Sequence, residues 1–284
     1  MKARILAIAL VAVVVISAIG MSLLYLQNEN TLREKDRIVI EQDMKDTLSR
    51  IESAVRSELG NITKHLNTAS DELRPTGLDG DDARAVLSDL KAKLPYAVDV
   101  VTINRTGVIV AAYPEEYSDI EGVDISDQPQ VQEMLRTMRP VASDVFVMAE
   151  GFPASDMESP VFDASGMFIG SVSAAIDLSA MLRDIVDACL DRERFQFTCL
   201  QIDGTEIYDS DGAQVGKNLF NDSVYADHPA MLEFMRTVVD EHDGYGTYRY
   251  YRTLGSQDLV DKEVYWTSFG MTEANWRLMV IHVM

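Results

Sequence analysis

The run AVDVVTINRTGVIVAA, residues 97–112, reads as one complete β-hairpin. Ala97 to Ile103 is apolar and rich in β-branched residues, Asn104-Arg105-Thr106-Gly107 is turn chemistry, and Val108 to Ala112 returns. The same plan recurs in FQFTCLQIDGTEIY, residues 195–208, with a strand from Phe195 to Ile202, a turn at Asp203-Gly204 and a return through Thr205 to Tyr208. The two stretches share an order of elements rather than a sequence.

That order extends on both sides. After the first hairpin come a loop with Ile120-Glu-Gly122-Val-Asp-Ile125, a short helix from Pro129 to Met138, and strands at Val141–Ala149, Met157–Phe162 and Phe168–Ile176. After the second come Val215-Gly216-Lys-Asn-Leu219-Phe220, a helix from Pro229 to Asp240, and strands at Gly246–Arg252, Glu263–Ser268 and Trp276–Val283. A helix from Leu178 to Leu190 joins them. The chain is therefore expected to be α+β, with two related antiparallel-sheet modules.

Upstream the pattern is helical. Ile40, Met44, Leu48, Ile51, Val55, Leu59, Ile62, Leu66, Ala69 and Leu73 recur at spacings of four and three, until Pro75 and Gly77 break the run. A helix over 28–74 would be about 70 Å long, so its stripe either docks on the chain's own sheets or pairs in a homodimer. A second helix is expected from Ala83 to Leu94. Before the long helix, Ile5 to Leu26 has no charged residue and would extend about 33 Å as a helix, enough to cross a bilayer once. Lys2 and Arg4 precede it and Arg33 is the first basic residue after it, which favours a cytoplasmic tail of residues 1–4 and an extracytoplasmic remainder.

With 46 acidic against 25 basic residues the net charge is -21, which repels phosphate backbones and excludes nucleic acid as a partner. The two cysteines, Cys189 and Cys199, rule out a disulfide-dense scaffold, and one bridge or two free thiols both fit them. His65, His228, His242 and His282 form no pair at metal-ligand spacing, and no nucleophile elbow, phosphate loop or dinucleotide motif occurs. No metal, no cofactor and no catalytic residue is expected, and the chain is read as a non-enzyme. Tyr245, Tyr248, Tyr250, Tyr251 and Trp266 concentrate aromatic groups that read as sheet packing. Asp209-Ser-Asp211-Gly212 lacks the spacing of a calcium loop and reads as a turn.

With Asn104-Arg-Thr-Gly107, Ile120-Glu-Gly-Val-Asp-Ile-Ser-Asp127, Ser159-Pro-Val-Phe-Asp-Ala-Ser-Gly166 and Gly170-Ser-Val-Ser-Ala-Ala-Ile-Asp-Leu178, the chain resembles the extracytoplasmic double Cache sensors of chemoreceptors and histidine kinases. The resemblance covers Asn28 to the carboxyl terminus. It implies a long helix (28–74), a membrane-distal PAS-like module (75–190) and a membrane-proximal one (191–284). It also implies a small-molecule pocket in the distal module, walled by Asp127, Gln128, Gln130, Asp144, Phe146, Met148 and Asp177. Alternation along a strand would put Asp144, Phe146 and Met148 on one face, sharing that pocket. Amino-acid-sensing members carry an Arg, a Trp and a Tyr where this chain has Gln128, Gln130 and Val131, so the implied ligand is cationic or neutral and polar. Asp177 matches the residue that accepts a ligand amino group, although an Asp before a helix also reads as a cap. The implied role is ligand sensing at the cell membrane with a separate transducer as partner. The contrasting readings are a surface spacer or protein-interaction module without a small ligand, and solute capture for a transporter.

Overall fold

The computed structural model describes the backbone of residues 2–149, 151–271 and 274–284, and the side chains of residues 20–149, 151–270 and 275–284. The chain divides into two compact units, residues 1–46 and residues 47–284. The first is the N-terminal part of α1 (Lys2–Thr76). The expected anchor, residues 5–26, falls for the most part outside the residues whose side chains are described. Among the described residues no helix is long and apolar enough to cross a membrane.

The second unit holds the last part of α1 and two five-stranded antiparallel sheets. The first sheet has the order β2-β1-β5-β4-β3, built from β1 (Ala97–Asn104), β2 (Ile109–Tyr113), β3 (Val141–Val147), β4 (Pro153–Phe162) and β5 (Phe168–Ile176). The second repeats it as β7-β6-β10-β9-β8, from β6 (Phe195–Gln201), β7 (Glu206–Asp209), β8 (Asp243–Tyr251), β9 (Leu259–Met271) and β10 (Ala274–Val283). The helices are α2 (Asp81–Lys93), α3 (Pro129–Thr137), α4 (Leu178–Cys189) and α5 (Pro229–Asp240). Short 3-10 turns at Glu115–Ile120 and Ser223–Tyr225 occupy what the sequence reads as plain loops.

Apolar periodicity accounts for α1. Ile51, Val55, Leu59, Ile62, Leu66, Ala69 and Leu73 are all buried, so within this unit the stripe is a docking face. The helix also fixes the first sheet by polar contacts: the Ser70 hydroxyl donates to Pro160 O at 2.6 Å, and Ser159 donates to Asn67 Oδ1 at 2.9 Å. Gly77 rather than Pro75 terminates α1. Pro75 is inside its last turn, and Gly77, at φ +80°, donates its N–H back to Leu73 O at 2.8 Å.

The opposite face of each sheet is roofed by the loop and short helix that follow its hairpin. In the first, Val101, Ile103, Ile109, Ile120, Ile125 and Val131 form the core; in the second, Leu200, Leu219, Tyr225, Met231, Val264 and Trp266 are among its members. A clip of three backbone hydrogen bonds holds each roof. Gly122 N–H donates to Ile109 O, Ile109 N–H to Val123 O, and Ile125 N–H to Gly107 O; Gly216 to Glu206 O, Glu206 to Lys217 O, and Leu219 to Gly204 O repeat it. Gly107 is required there, because a Cβ at its φ of +83° would lie 2.6 Å from Ser126 Cβ. A Cβ on Gly204 would lie 2.4 Å from the Phe220 ring.

Candidate ligand-binding site

On the roofed face of the first sheet the register sets polar residues in rows. Asp99, Ala175 and Asp156 form one row across β1, β5 and β4; Val101, Ser173 and Glu158 form the next; Ile103, Ser171 and Pro160 the third. Asp156 and Glu158 are each tied to the serine of the following row. The Ser173 hydroxyl donates to Asp156 Oδ1, and Ser171 donates to Glu158 Oε2 at 2.8 Å. Asp99, Asp156 and Glu158 are all buried. Burial pushes the ionisation of Asp156 upward, against the hydrogen bonds from Ser173 and Gln130, and pushes Glu158 well upward, reinforced by the neighbouring Asp156 charge.

The roof supplies the opposing polar groups. Gln130, buried at the start of α3, donates from Nε2 to Asp156 Oδ2 at 3.2 Å and to Gln128 Oε1 at 2.7 Å. Gln128, Met148, Asp99, Asp156 and Ser173 border a narrow cavity of about 20 Å³, room for about one water molecule. Asp127 is exposed beside it, with its carbonyl accepting a long 3.5 Å contact from Gln132.

The other expected wall residues lie elsewhere. The register of β3 against β4 shifts between Ala142 and Val145, a bulge that breaks alternation. Ser143 holds it: its hydroxyl accepts from Asp156 N–H at 2.8 Å and donates to Asp144 O at 2.7 Å, while its carbonyl accepts from Ser155 at 2.8 Å. Asp144 lies in that bulge and Met148 past the end of β3, so Asp144, Phe146 and Met148 do not share one pocket. Asp144 Oδ1 accepts from Asn275 N–H at 3.4 Å, on the second sheet, and Val145 N–H donates to Gln201 Oε1 at 2.9 Å. Phe146 and Asp177 line a separate, mostly apolar cleft of about 680 Å³ with Leu178, Ile207 and Val215. Asp177 caps α4, accepting from Ala180 N–H at 2.9 Å.

Sequence reasoning missed Asp99, Asp156, Glu158 and Ser173. Ala154, Ser155 and Asp156 offer no apolar alternation and fall before the strand expected from Met157, yet β4 runs through them as a buried strand whose Asp156 and Glu158 bond to side chains of neighbouring elements. The one available signal was the pair Asp156 and Glu158 two residues apart, a spacing that points both carboxyls to one face of a strand. Cys189 and Cys199 are free thiols, and burial pushes the Cys199 ionisation far upward.

Residues 57–177 match the family model described as the HK/GC/chemotaxis protein-like sensor domain. An extracellular ligand-binding receptor from Desulfohalobium retbaense is 33% identical, with a TM-score of 0.70 over 84% of this chain. This chain spans 40% of the length of that receptor chain. The ligand-binding domain of the Pseudomonas fluorescens chemoreceptor CtaA, in complex with L-serine, is 16% identical with a TM-score of 0.60, covering 88% of this chain and 98% of its own. That of the Pseudomonas aeruginosa amino acid chemoreceptor PctC, in complex with GABA, is 17% identical with a TM-score of 0.57, covering 86% and 98%. No curated protein matches the chain.

Proposed function

We propose that this chain, which carries the double Cache sensor fold, binds a small cationic ligand outside the cytoplasm and reports it to a transducer. In this reading residues 5–26 anchor it, residues 75–190 form the membrane-distal, ligand-binding module, and residues 191–284 form the proximal one. It performs no catalysis.

One observation carries the choice of ligand charge: Asp99, Asp156 and Glu158 are buried on one face of the first sheet, and among the described residues no Lys or Arg is buried in that sheet. Burial pushes the ionisations of Asp156 and Glu158 upward at a cost in stability, and a bound ammonium group reverses this by pairing with the carboxylate. Gln128 and Gln130 stand opposite to orient the polar part of a ligand, and Met148 supplies apolar contact. The net charge of -21 draws cations toward the molecule. A carboxylate clamp has no basic side chain to build on at this cavity. Opening about 20 Å³ to hold an organic cation requires the roof of Gln128 and α3 to move outward.

The test is a thermal-shift screen of the full chain against primary amines, diamines, amino acids, carboxylates, purines and sugars. A ligand at 100 times its Kd adds about 2.7 kcal/mol to the native state. The expected result is a shift with amines that Asp156→Asn or Gln130→Ala removes. Carboxylates or sugars as the sole hits would refute the cationic reading, and silence across the library would favour a spacer or protein-binding role.

A further inference from the structure

The second sheet carries a cavity of its own at the equivalent place. Asp99, Val101, Ile103 and Ile109 border the first cavity, and Gln196, Thr198, Leu200 and Glu206 border the second. Each residue of the second set holds the same place relative to its hairpin turn and roof clip as its partner in the first. The charge comes from a different strand. In register, Asp156 and Glu158 of β4 are matched by Val264 and Trp266 of β9, whereas Ile109 of β2 is matched by Glu206 of β7, with Asp209 and Asp211 following.

Glu206 is 2% exposed and Tyr250 4% exposed, and both line this cavity. Glu206 Oε1 accepts from the Tyr225 hydroxyl at 3.2 Å, but neither Glu206 Oε2 nor the Tyr250 hydroxyl has a hydrogen-bond partner among the described residues. Buried polar atoms are overwhelmingly paired, so two orphans facing one cavity mark a place for a donor. The neighbouring acids have theirs. Asp209 accepts from Thr198 and from Asp211 N–H, and Asp211 accepts from Leu254 N–H. Lys262, also on the wall, has its ammonium 3.4 Å from Arg252 O and 5.9 Å from the Tyr250 ring centre, while the Arg252 guanidinium bonds Asp258. Three carboxyls, Glu206, Asp209 and Asp211, thus share the wall with one lysine whose ammonium bonds none of them among the described residues.

We propose that this cavity is a second ligand site, which takes a small ammonium cation: ammonium itself or a short primary alkylammonium. Glu206 Oε2 and the Tyr250 hydroxyl accept its N–H groups. Its volume of about 30 Å³ suits one water-sized head group, and the flexible thioethers of Met231, Met235 and Met279 adapt to a methyl group. Among the described residues no three His, Cys, Asp or Glu are grouped to hold a metal ion, which sets a hydrogen-bond donor above a metal as the guest.

Binding is linked to protons. Burial pushes the Glu206 carboxyl up to about 9, with the Asp209 and Asp211 charges adding to the shift and the Tyr225 hydrogen bond and Lys262 opposing it. Asp209, pushed by burial to about 6, Asp211, Lys262, Arg252, Tyr248 and Tyr250 also line this space, and Tyr225 bonds Glu206. An arriving ammonium displaces the Glu206 proton, so between about pH 6 and 9 its affinity rises about tenfold per pH unit.

The experiment is titration calorimetry of the full chain carrying Asp156→Asn, which removes the first cavity's acid so that the second is read alone, with methylammonium chloride at pH 6, 7 and 8, against sodium chloride at equal ionic strength. Saturable binding of methylammonium alone is expected, tightening about tenfold per pH unit. Adding Glu206→Gln, neutral like the protonated side chain and so compatible with folding, abolishes it, and adding Tyr250→Phe weakens it. No saturable binding at pH 8, equal binding of sodium, or binding that survives Glu206→Gln overturns the proposal. Binding seen with the unsubstituted chain and absent from the Asp156→Asn chain also overturns it and assigns the amine to the first cavity.

Discussion

Ile109 and Glu206 occupy one position of a repeated unit, and the exchange of a core isoleucine for an acid sets how the protein responds to pH. Four carboxyls, Asp156, Glu158, Glu206 and Asp209, have ionisations raised by burial. A carboxyl whose folded pKa is raised stabilises the fold fully below its unfolded value, and that stabilisation is lost as pH rises through the folded value. The loss passes through about 6 for Asp209 and about 9 for Glu206. Urea denaturation across a pH series should therefore show stability falling from about pH 5 to about pH 9. Glu206→Gln should flatten the upper part of that fall and leave the part near 6. A stability profile that rises toward pH 9 would show that these groups are ionised in the fold.

Among the elements, α5 depends on a single side chain from β10. The buried Arg277 guanidinium donates to Val238 O and Glu241 O, both at 3.0 Å, to Val239 O at 2.5 Å and to Asn275 Oδ1 at 2.6 Å. It thus serves carbonyls that the end of a helix leaves without partners. Arg277→Met should lower stability by about 2–3 kcal/mol, read from the urea midpoint, since the carbonyls it served stay buried. Elements with an apolar period were legible in the sequence: α1's stripe, both hairpins, α3 and α5 lie where their spacings put them. Elements whose order depends on polar groups pairing in the fold were not. The N-terminal half of β4 and the bulge at Ser143-Asp144 have no apolar signature, because Ser143, Ser155 and Asp156 bond to one another only once β3 and β4 are side by side. The candidate site shared this fate. Of the expected wall, Gln128 and Met148 border the cavity and Gln130 bonds Asp156, while Asp156 itself was hidden in β4.

At the level of the whole molecule the two sheets belong to one compact unit with the last part of α1. Gln201 and Asn275 on the second sheet reach the bulged edge of the first, and Arg56 of α1 stacks over Phe269 of β9 at 5.0 Å. Differential scanning calorimetry should accordingly give one cooperative transition for residues 47–284 rather than a separate melt for each sheet. Two resolved peaks would show the sheets to be independent. The order of the two modules and the acid excess were both visible in the sequence; the join between them rests on long-range contacts that no local pattern encodes. The roof clips have a further, temporal consequence. Holding a guest larger than a water in the first cavity moves the roof that the Ile125 N–H ties to Gly107 O, so such a guest waits on the parting of backbone pairs. Entry is then timed by a local unfolding step, so the observed association rate levels off as guest concentration rises, and the molecule averages its surroundings over the interval between openings.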